Sequence, residues 1–342
     1  MASTVRAVLV GCGGMSRSWT KVSKESDKID LVGFVDINEE AARTRAEDYG
    51  AQDAVIGKDL GKVLDEVAPN AVFDCTIPEV HTSVAVEALS RGCHVLSEKP
   101  MADSMENARR AAKAAEDSGK IYAIIQNRRY DLNIRRLTRT LQDGEIGDLT
   151  TLNCDFYLGA HFEGFRNHMP HVLLLDMAIH TFDAARLITG ADPVSVYCKE
   201  WNPAGSWYDQ DASAIAVFEM TGGIVYTYRG SWCSEGLGTT WECDWRVIGQ
   251  QGTITWDGAE GFKGQKVVDT GEFRSECIDL DVSKADSADR IGGHKGLILE
   301  FADCVQNGGT PETSYNDNIK SLAMVFGAIE SAESGVPVNI TC

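Results

Sequence analysis

The chain has 342 residues and a formal net charge of −19, with 51 acidic residues against 32 basic ones. A field of that sign repels nucleic acid and anionic membrane surfaces, although solubility alone also accounts for the acidity. Hydrophobic residues make up 43% of the chain, which is ordinary for a globular protein, and the length favours two domains. No apolar stretch approaches the ~20 residues of a membrane span.

The N-terminus and the cysteines both favour the cytoplasm. Residues 1–4 run directly into the first apolar strand, which leaves no room for a signal peptide. The ten cysteines are scattered and include no CxxC pair, so no structural zinc site is expected. Apolar or strand-like settings, typical of reduced core or loop residues, surround Cys12, Cys75, Cys93 and Cys154.

A strand, a glycine-rich loop, a helix, a second strand and an acid follow one another in residues 5–36. Periodicity predicts a buried strand over Val5–Val10, a helix over about Arg17–Glu25 and a second strand over Leu31–Val35. The loop between the first strand and the helix consists of Gly11, Cys12, Gly13, Gly14, Met15 and Ser16. This order is typical of dinucleotide-binding βαβ units.

The small residues and the acid each meet a requirement of cofactor binding. Gly11 lets the chain turn tightly, Gly13 lets backbone approach a pyrophosphate, and Ser16 is small enough to stand where a third glycine is usual. Asp36 lies twenty residues beyond Ser16, where its carboxylate can accept hydrogen bonds from the adenosine ribose and repel a 2′-phosphate. The pattern predicts NAD, with NADP less favoured; a ligand-free turn, FAD and S-adenosylmethionine are the alternatives.

Helices and strands continue to alternate after Asp36, which predicts a doubly wound parallel sheet in a first domain of residues 1–125. Its predicted helices are Glu39–Tyr49, Leu60–Glu66, His81–Arg91 and Ser104–Ser118, and its further strands are Ala71–Thr76, His94–Ser97 and Ile121–Gln126. Residues 126–342 predict an α/β domain with an open, mostly antiparallel sheet. Its predicted elements are helices Leu132–Gln142, Leu173–Ile188 and about Ala323–Ser334, a strand Thr150–Leu158, and a succession of strands over Val194–Trp256.

Many aromatic residues fall near the middle of the predicted open sheet. They are Tyr226, Tyr228, Trp232, Trp241 and Trp245. Their number favours a sheet face that meets a second subunit, and therefore a homo-oligomer. The alternative is that they pack inside one chain.

Glu98-Lys99-Pro100 directly follows a predicted strand, and it is the first of two clusters that suit chemistry. The carboxyl edge of a doubly wound sheet is where cofactor and substrate meet, so Lys99 would project toward the nicotinamide. The alternative for Lys99 is a surface lysine in a turn. Pro100 fixes the backbone that follows the lysine.

Asp176 and His180 form the second cluster, on one face of a mostly apolar predicted helix. A carboxylate four residues before an imidazole can orient it and raise its basicity, which suits a general base near neutral pH. A satisfied core histidine or a surface pair is the alternative. Burial of such a pair is costly and needs a reason, which favours function.

The chain resembles the glucose–fructose oxidoreductase / inositol dehydrogenase / MocA family over essentially its whole length. The resemblance is carried, in order, by Gly11–Ser16, Asp36, Thr76–His81, Glu98–Pro100, Asn127–Tyr130 and Asp176, His180 and Asp183. Two features depart from the family pattern, since Pro78 stands one place later than usual and residues 171–175 replace glycines before Asp176. Both departures leave the shape of the substrate pocket open.

The resemblance implies an N-terminal Rossmann domain and a C-terminal domain whose open sheet forms a dimer or tetramer. It implies that Lys99 hydrogen-bonds the reacting hydroxyl, that His180 is the acid/base and that Asp176 orients substrate or histidine. Cofactor contacts are expected from the glycine loop and from Asp36, Thr76, Ile77, His81, Glu98, Lys99 and Arg128. Substrate contacts are expected from Lys99, Arg128, Tyr157, His161, Arg166, His168, Asp176 and His180.

The sequence predicts an oxidoreductase that transfers a hydride between NAD and a secondary alcohol of a sugar, sugar derivative or cyclitol. His161, His168, His171 and His180 fit no common metal-ligand spacing, so polar substrate contacts are favoured over zinc. Two other functions remain open. One is a relative that holds and internally recycles its NAD, as a sugar–sugar oxidoreductase or a glycoside-cleaving enzyme, and the other is a nucleotide-sensing regulator without catalysis.

Overall fold

The computed structural model describes residues 4–271, 273–282 and 290–342. They fall into two compact units, the first within residues 1–130 and 290–319 and the second within residues 131–289 and 320–342. The first unit therefore takes in a late segment of the chain, whereas the domains expected from the sequence were each continuous and met at residue 125.

A six-stranded parallel sheet forms the centre of the first unit, with strand order β3-β2-β1-β4-β5-β6. Its elements up to residue 130 are β1 (Val5–Val10), α1 (Ser16–Lys24), β2 (Ile29–Val35), α2 (Glu39–Tyr49), β3 (Val55–Gly57), α3 (Leu60–Val67), β4 (Ala71–Asp74), α4 (Pro78–Ser90), β5 (His94–Ser97), α5 (Met105–Ser118), β6 (Tyr122–Ile124) and a 3₁₀-helix (Asn127–Tyr130). The strand order reverses between β1 and β4, as in dinucleotide-binding folds, so the predicted doubly wound sheet is confirmed.

Helix ends in this unit follow from their capping residues. The Asn38 side chain accepts a hydrogen bond from a backbone N–H at the start of α2, and Gly50 ends that helix in the left-handed conformation. Ser104 and Gly119 play the same two roles for α5. The predicted bounds of α2 are confirmed for this reason, whereas the three residues of β3 are too few to show a periodic pattern.

The second unit is built on a nine-stranded mixed sheet of order β14-β13-β12-β11-β7-β10-β9-β8-β15. The elements from residue 131 onward are α6 (Leu132–Gln142), β7 (Leu149–Tyr157), a 3₁₀-helix (Phe165–His168), a π-helix (Leu173–Ala178), α7 (Ile179–Thr189), β8 (Pro193–Trp201), β9 (Ser213–Met220), a 3₁₀-helix (Thr221–Gly223), β10 (Val225–Ser231), β11 (Asp244–Gly249), β12 (Gly252–Trp256), β13 (Phe262–Asp269), β14 (Glu276–Leu280), α8 (Gly293–Asn307), α9 (Tyr315–Ser334) and β15 (Val338–Asn339). Only β7 and β10 pair in parallel; the other pairs among the described strands are antiparallel.

Helix α8 was missed by the sequence analysis, and it belongs to the first unit. Gly293 and Gly296 in its first turn, and Gly292 before it, weaken the helical pattern in the sequence. Its buried residues Leu297, Ile298 and Phe301 join the core around β1, where the Phe301 ring lies 6.0 Å from that of Phe73. Helix α9 likewise begins at Tyr315 rather than at about Ala323.

The predicted helix over Leu173–Ile188 exists, but its first six residues form a π-helix. His171, just before it, adopts a positive φ of 51°, which is uncommon for a residue other than glycine. Its carbonyl oxygen accepts a hydrogen bond from the Leu175 N–H at 2.9 Å. Apolar spacing does not separate π- from α-helix over six residues, so the sequence could not show this feature.

The aromatic residues of the sheet do not support the prediction of a partner subunit. Four of the five are buried within the chain: Tyr226, Tyr228, Trp232 and Trp245. The two tyrosines pack edge-on against Phe182 of α7, with ring centroids 6.2 and 5.3 Å away. Only Trp241 is exposed, at 46%. The alternative of packing inside one chain is therefore correct for these four, and the homo-oligomer stays a prediction without their support.

Across the residues that the structure describes, no helix is both long and apolar enough to cross a membrane. Cys12, Cys75, Cys93 and Cys154 are buried and are not joined in disulfides, as the sequence predicted for core and loop cysteines.

His94 gives the first unit a predicted pH dependence. Its Nδ1 accepts a hydrogen bond from the Ile121 N–H at 3.0 Å, and burial, helped by Lys120, lowers its pKa to about 4. As the pH falls, the imidazole is protonated in the unfolded chain, near pH 6.5, before it is protonated in the folded chain. The free energy of unfolding should therefore decrease as the pH drops from 6.5 to 4, by at most about 3 kcal/mol. Urea unfolding of wild type and His94→Asn at pH 7.5 and 4.5 tests this. An equal loss in both proteins contradicts the assignment.

Candidate active site

The residues assigned to the cofactor gather at one edge of the parallel sheet. The glycine loop follows β1, Asp36 follows β2, Thr76 lies two residues beyond β4, and Glu98 follows β5. Because parallel strands present their carboxyl ends at the same edge, these segments are neighbours there. Arg128 lies in the 3₁₀-helix that follows β6, and it is buried.

Gly11 is required by close packing as well as by backbone conformation. Its φ is +82°, and a Cβ at this position would lie 2.6 Å from the Cys75 carbonyl carbon and oxygen and 2.7 Å from the Thr76 nitrogen. Its N–H donates to the Val35 carbonyl oxygen at 2.9 Å. The loop is therefore pressed between the ends of β2 and β4, where any side chain would collide with backbone.

Gly13 and Gly14 face open space. A Cβ at either position would meet nothing within 4 Å, and neither has a positive φ. No neighbouring protein group therefore requires glycine at these two positions. Glycine there leaves the backbone accessible to a ligand that approaches closely. The loop leads directly into the N-terminus of α1, where backbone N–H groups and the helix dipole favour anions. The residues present therefore fit the pyrophosphate of a dinucleotide.

Asp36 is already engaged with the glycine loop. Its Oδ2 accepts a hydrogen bond from the Cys12 N–H at 2.7 Å, and its Oδ1 accepts one from the Asn38 N–H at 2.8 Å. An ionised carboxylate has about four lone-pair sites, so it can also accept from ribose hydroxyls. Exposed apolar side chains lie on the neighbouring segments, at Met15, Ile37 and Ile77.

His81 occupies a supporting position rather than a face of the cleft. It is fully buried, with Nδ1 2.7 Å from the Pro100 carbonyl oxygen and Nε2 3.1 Å from the Thr76 carbonyl oxygen. Both ring nitrogens are occupied by protein, so this differs from the expectation that His81 lies along the cofactor. It ties the turn after β4 to the turn after β5, on which Lys99 stands.

Glu98 also stabilises the backbone around Lys99. It is buried, and its Oε1 accepts from the Trp19 Nε1–H at 2.9 Å while its Oε2 accepts from the Lys99 N–H at 3.3 Å. The Lys99–Pro100 peptide bond is cis. Glu98 thereby holds the strand end from which the half-buried side chain of Lys99 departs.

A titratable neighbour of Lys99 was missed by the sequence analysis. His294, in the first turn of α8, has its pKa lowered mainly by burial; Glu98 opposes this shift and Lys99 adds to it. These influences place the imidazole within electrostatic reach of both residues. The sequence gives no local sign that His294 is a neighbour of Lys99, because the two residues lie nearly 200 positions apart in the chain. A prediction of α8 and its packing would have been needed.

In the second unit, Asp176 is paired with an arginine. Asp176 lies in the π-helix, and Arg166 donates to it from Nε at 2.6 Å and more weakly from Nη2 at 3.5 Å. The guanidinium also lies over the Phe165 and Phe162 rings, at 4.7 and 5.1 Å from their centroids. His180 lies at the start of α7 and is half-buried.

The other histidines of this unit do not converge on a metal site. His161 lies 2.7 Å from Glu235 and stacks on Trp207, and His168 pairs separately with Asp209; both histidines are exposed. No three His, Cys, Asp or Glu side chains of the described segments are arranged to hold a metal ion. Tyr157 ends β7 and is half-buried, which raises its pKa.

His171 instead pairs with a buried glutamate. Its Nδ1 lies 2.6 Å from Oε2 of Glu200, and this contact raises the pKa of the imidazole despite its burial. The pair fixes the start of the π-helix that carries Asp176.

The glycines of the loop make a matched set for mutation. Gly11→Ala should destabilise the protein by about 2–4 kcal/mol, because its Cβ would strike backbone. Gly13→Ala and Gly14→Ala should stay within about 1 kcal/mol of wild type, since nothing is close, yet Gly13→Ala should weaken NAD binding at least about tenfold. Urea unfolding and calorimetric titration with NAD measure the two effects. A fully stable Gly11→Ala protein, or normal NAD binding by Gly13→Ala, would contradict this account.

Known proteins resemble this chain over nearly all of its length. Residues 5–126 match the oxidoreductase family described by an NAD-binding Rossmann fold, and residues 134–255 match the GFO/IDH/MocA C-terminal domain. The 1,5-anhydro-D-fructose reductase of Ensifer adhaerens is 22% identical, over 97% of each chain. The inositol 2-dehydrogenase of Arthrobacter sp. strain FB24 is 30% identical, over 57% of each chain.

Among solved structures, an oxidoreductase from Agrobacterium radiobacter in complex with NAD⁺, L-tartaric acid and magnesium has a TM-score of 0.85, at 19% identity over 98% of each chain. At that identity the likeness concerns the fold. The two family matches together cover most of the chain, they follow one another in the family's order, and the first coincides with the sheet whose edge carries the glycine loop. The chain therefore belongs to the GFO/IDH/MocA family of NAD-binding oxidoreductases.

Proposed function

We propose that this enzyme oxidises a secondary alcohol of a sugar, sugar derivative or cyclitol with NAD, or catalyses the reverse reduction. The observation that carries the proposal is the position of Lys99, held by Glu98 at the sheet edge where the glycine loop also lies. Relatives named for inositol and 1,5-anhydro-D-fructose support a polyhydroxylated substrate. The Asp36 carboxylate favours NAD over NADP, since it would repel a 2′-phosphate.

Three residues are proposed to carry the chemistry. Bound NAD supplies the hydride acceptor. The Lys99 ammonium donates to the reacting oxygen and stabilises the negative charge that develops there as the C–H bond breaks. The His180 imidazole takes the hydroxyl proton, so the alcohol loses one hydride and one proton and becomes a carbonyl. Asp176, held by Arg166, orients the substrate or the histidine.

Further polar side chains are proposed to select the substrate. On the first unit this is Arg128, and on the second unit they are Tyr157, His161, Arg166 and His168. Arg166 is proposed to act mainly by fixing Asp176, because its Nε and Nη2 both point to that carboxylate. One polar contact decides between closely related sugars, so the identity of the sugar depends on these positions.

Lys99→Met should lower kcat by at least about 100-fold, because it removes a donor that acts on developing charge, while NAD is still bound. Lys113→Met is the matched control, since Lys113 lies exposed on α5 of the same unit. Turnover is followed by nicotinamide absorbance, and binding by calorimetry. Wild-type turnover in Lys99→Met would refute the role.

A panel of sugars and cyclitols, with NAD added, tests the reaction itself. Near-ultraviolet absorbance should rise with one class of sugar or cyclitol, and this rise identifies the substrate class. If absorbance does not rise and denaturation releases bound nucleotide, the enzyme recycles its cofactor internally. If neither Lys99→Met nor His180→Ala lowers turnover, the catalytic roles proposed for these residues fail. If the protein binds NAD and turns over nothing in either direction, the proposal of a dehydrogenase fails and a nucleotide sensor is favoured.

A further inference from the structure

A buried arginine on α2 holds the glycine loop from behind. Arg45 is only 4% exposed, and its Nε donates to Ser16 Oγ at 2.9 Å. Its Nη2 donates to the carbonyl oxygens of Gly13 and Cys12, at 3.2 and 3.4 Å. Its Nη1 donates to Asp48 at 2.8 Å, so every nitrogen of the guanidinium has an acceptor.

Ser16 forms the centre of this contact. Its side chain is fully buried, and its hydroxyl donates to the Gly13 carbonyl oxygen at 2.7 Å while accepting from Arg45. A glycine, which is usual at this third position, would lose both hydrogen bonds. Ser16 is therefore more than a small residue that permits close packing.

These bonds determine where two N–H groups of the loop point. In a trans peptide unit the C=O and the following N–H point in opposite directions. Because Arg45 draws the Cys12 and Gly13 carbonyls toward itself, the N–H groups of Gly13 and Gly14 face the other side of the loop. A Cβ on either glycine would meet nothing within 4 Å, so no protein side chain crowds the backbone of these two residues. Two successive N–H groups aimed at one space form an anion-binding nest.

The charge of Arg45 is not explained by packing alone. Burying a guanidinium costs several kcal/mol, and an apolar side chain of similar size would fill the same space without that cost. Within the described residues, the carboxylate that pairs with Arg45 is that of Asp48, which is about half exposed, so solvent screens the pair. A dianionic ligand on the far side of the loop would complete the compensation.

We infer that Arg45, acting through Ser16 and the loop carbonyls, is the positioning residue for the cofactor pyrophosphate. This inference rests on the NAD binding in the proposed function, but not on the identity of the substrate. It adds a residue on α2, outside the glycine motif, to the determinants of cofactor affinity.

Four variants and three ligands test the inference. The variants are Arg45→Leu, Arg45→Lys, Ser16→Gly and the control Arg43→Leu, an exposed arginine of the same helix that pairs with Glu39. Affinities for NAD, ADP-ribose and adenosine are measured by calorimetry or ligand NMR, with urea unfolding in parallel.

Arg45→Leu should bind NAD and ADP-ribose at least about tenfold more weakly, with adenosine changed less than about twofold. Its KM for NAD should rise more than its kcat falls. Arg45→Lys should restore only part of the affinity, because an ammonium cannot make the forked contact, and Ser16→Gly should lose about threefold or more. The Arg43→Leu control should match wild type.

Wild-type ADP-ribose affinity in a folded Arg45→Leu protein overturns the inference, as does an equal loss for adenosine, which would indicate general damage to the site. If Arg45→Leu fails to fold, Ser16→Gly decides in the same way. A wild-type protein that binds NAD but neither oxidises a sugar or cyclitol nor reduces the corresponding ketone would refute the proposed function and leave this inference standing.

Discussion

At Gly11 the glycine loop passes the carbonyl group of Cys75 with room for a hydrogen atom and none for a carbon. This contact joins the two strands at which the sheet order reverses, so the cleft at the carboxyl edge depends on it. In the loop held there, the Cys12 N–H also donates to the Asp36 carboxylate at the end of β2.

Some polar groups around this edge are proposed to contact the cofactor or the substrate, whereas others stabilise the backbone. Glu98 and His81 are both motif residues, yet both are buried and occupied by Trp19 and by carbonyl groups. Their satisfied hydrogen bonds support the turns after β4 and β5, which suits the charge-stabilising role proposed for Lys99. Loss of such a support would misplace Lys99 without touching the reacting atoms.

In the second unit Asp176, proposed to lie on the substrate side, depends on irregular backbone. Asp176 stands in a π-helix that starts just after His171, a residue with positive φ held by Glu200. Arg166, from the 3₁₀-helix Phe165–His168, then holds the carboxylate with a charge-assisted hydrogen bond. Strained and irregular segments of this kind cost free energy, and they persist where neighbouring structure holds them in place.

The sequence by itself determined the elements whose signals are local. The alternating hydrophobic periods, and the glycine loop with Asp36, predicted the doubly wound sheet and its cofactor, because these signals act within a few residues. Only the tertiary structure decided what depends on distant neighbours. Helix α8 brought His294 near Lys99 across nearly 200 residues, and Arg45 reached the loop from the next helix. Four of the five sheet aromatics are core for the same reason, because whether a sheet face is covered depends on elements such as α7 that pack on it from elsewhere in the chain.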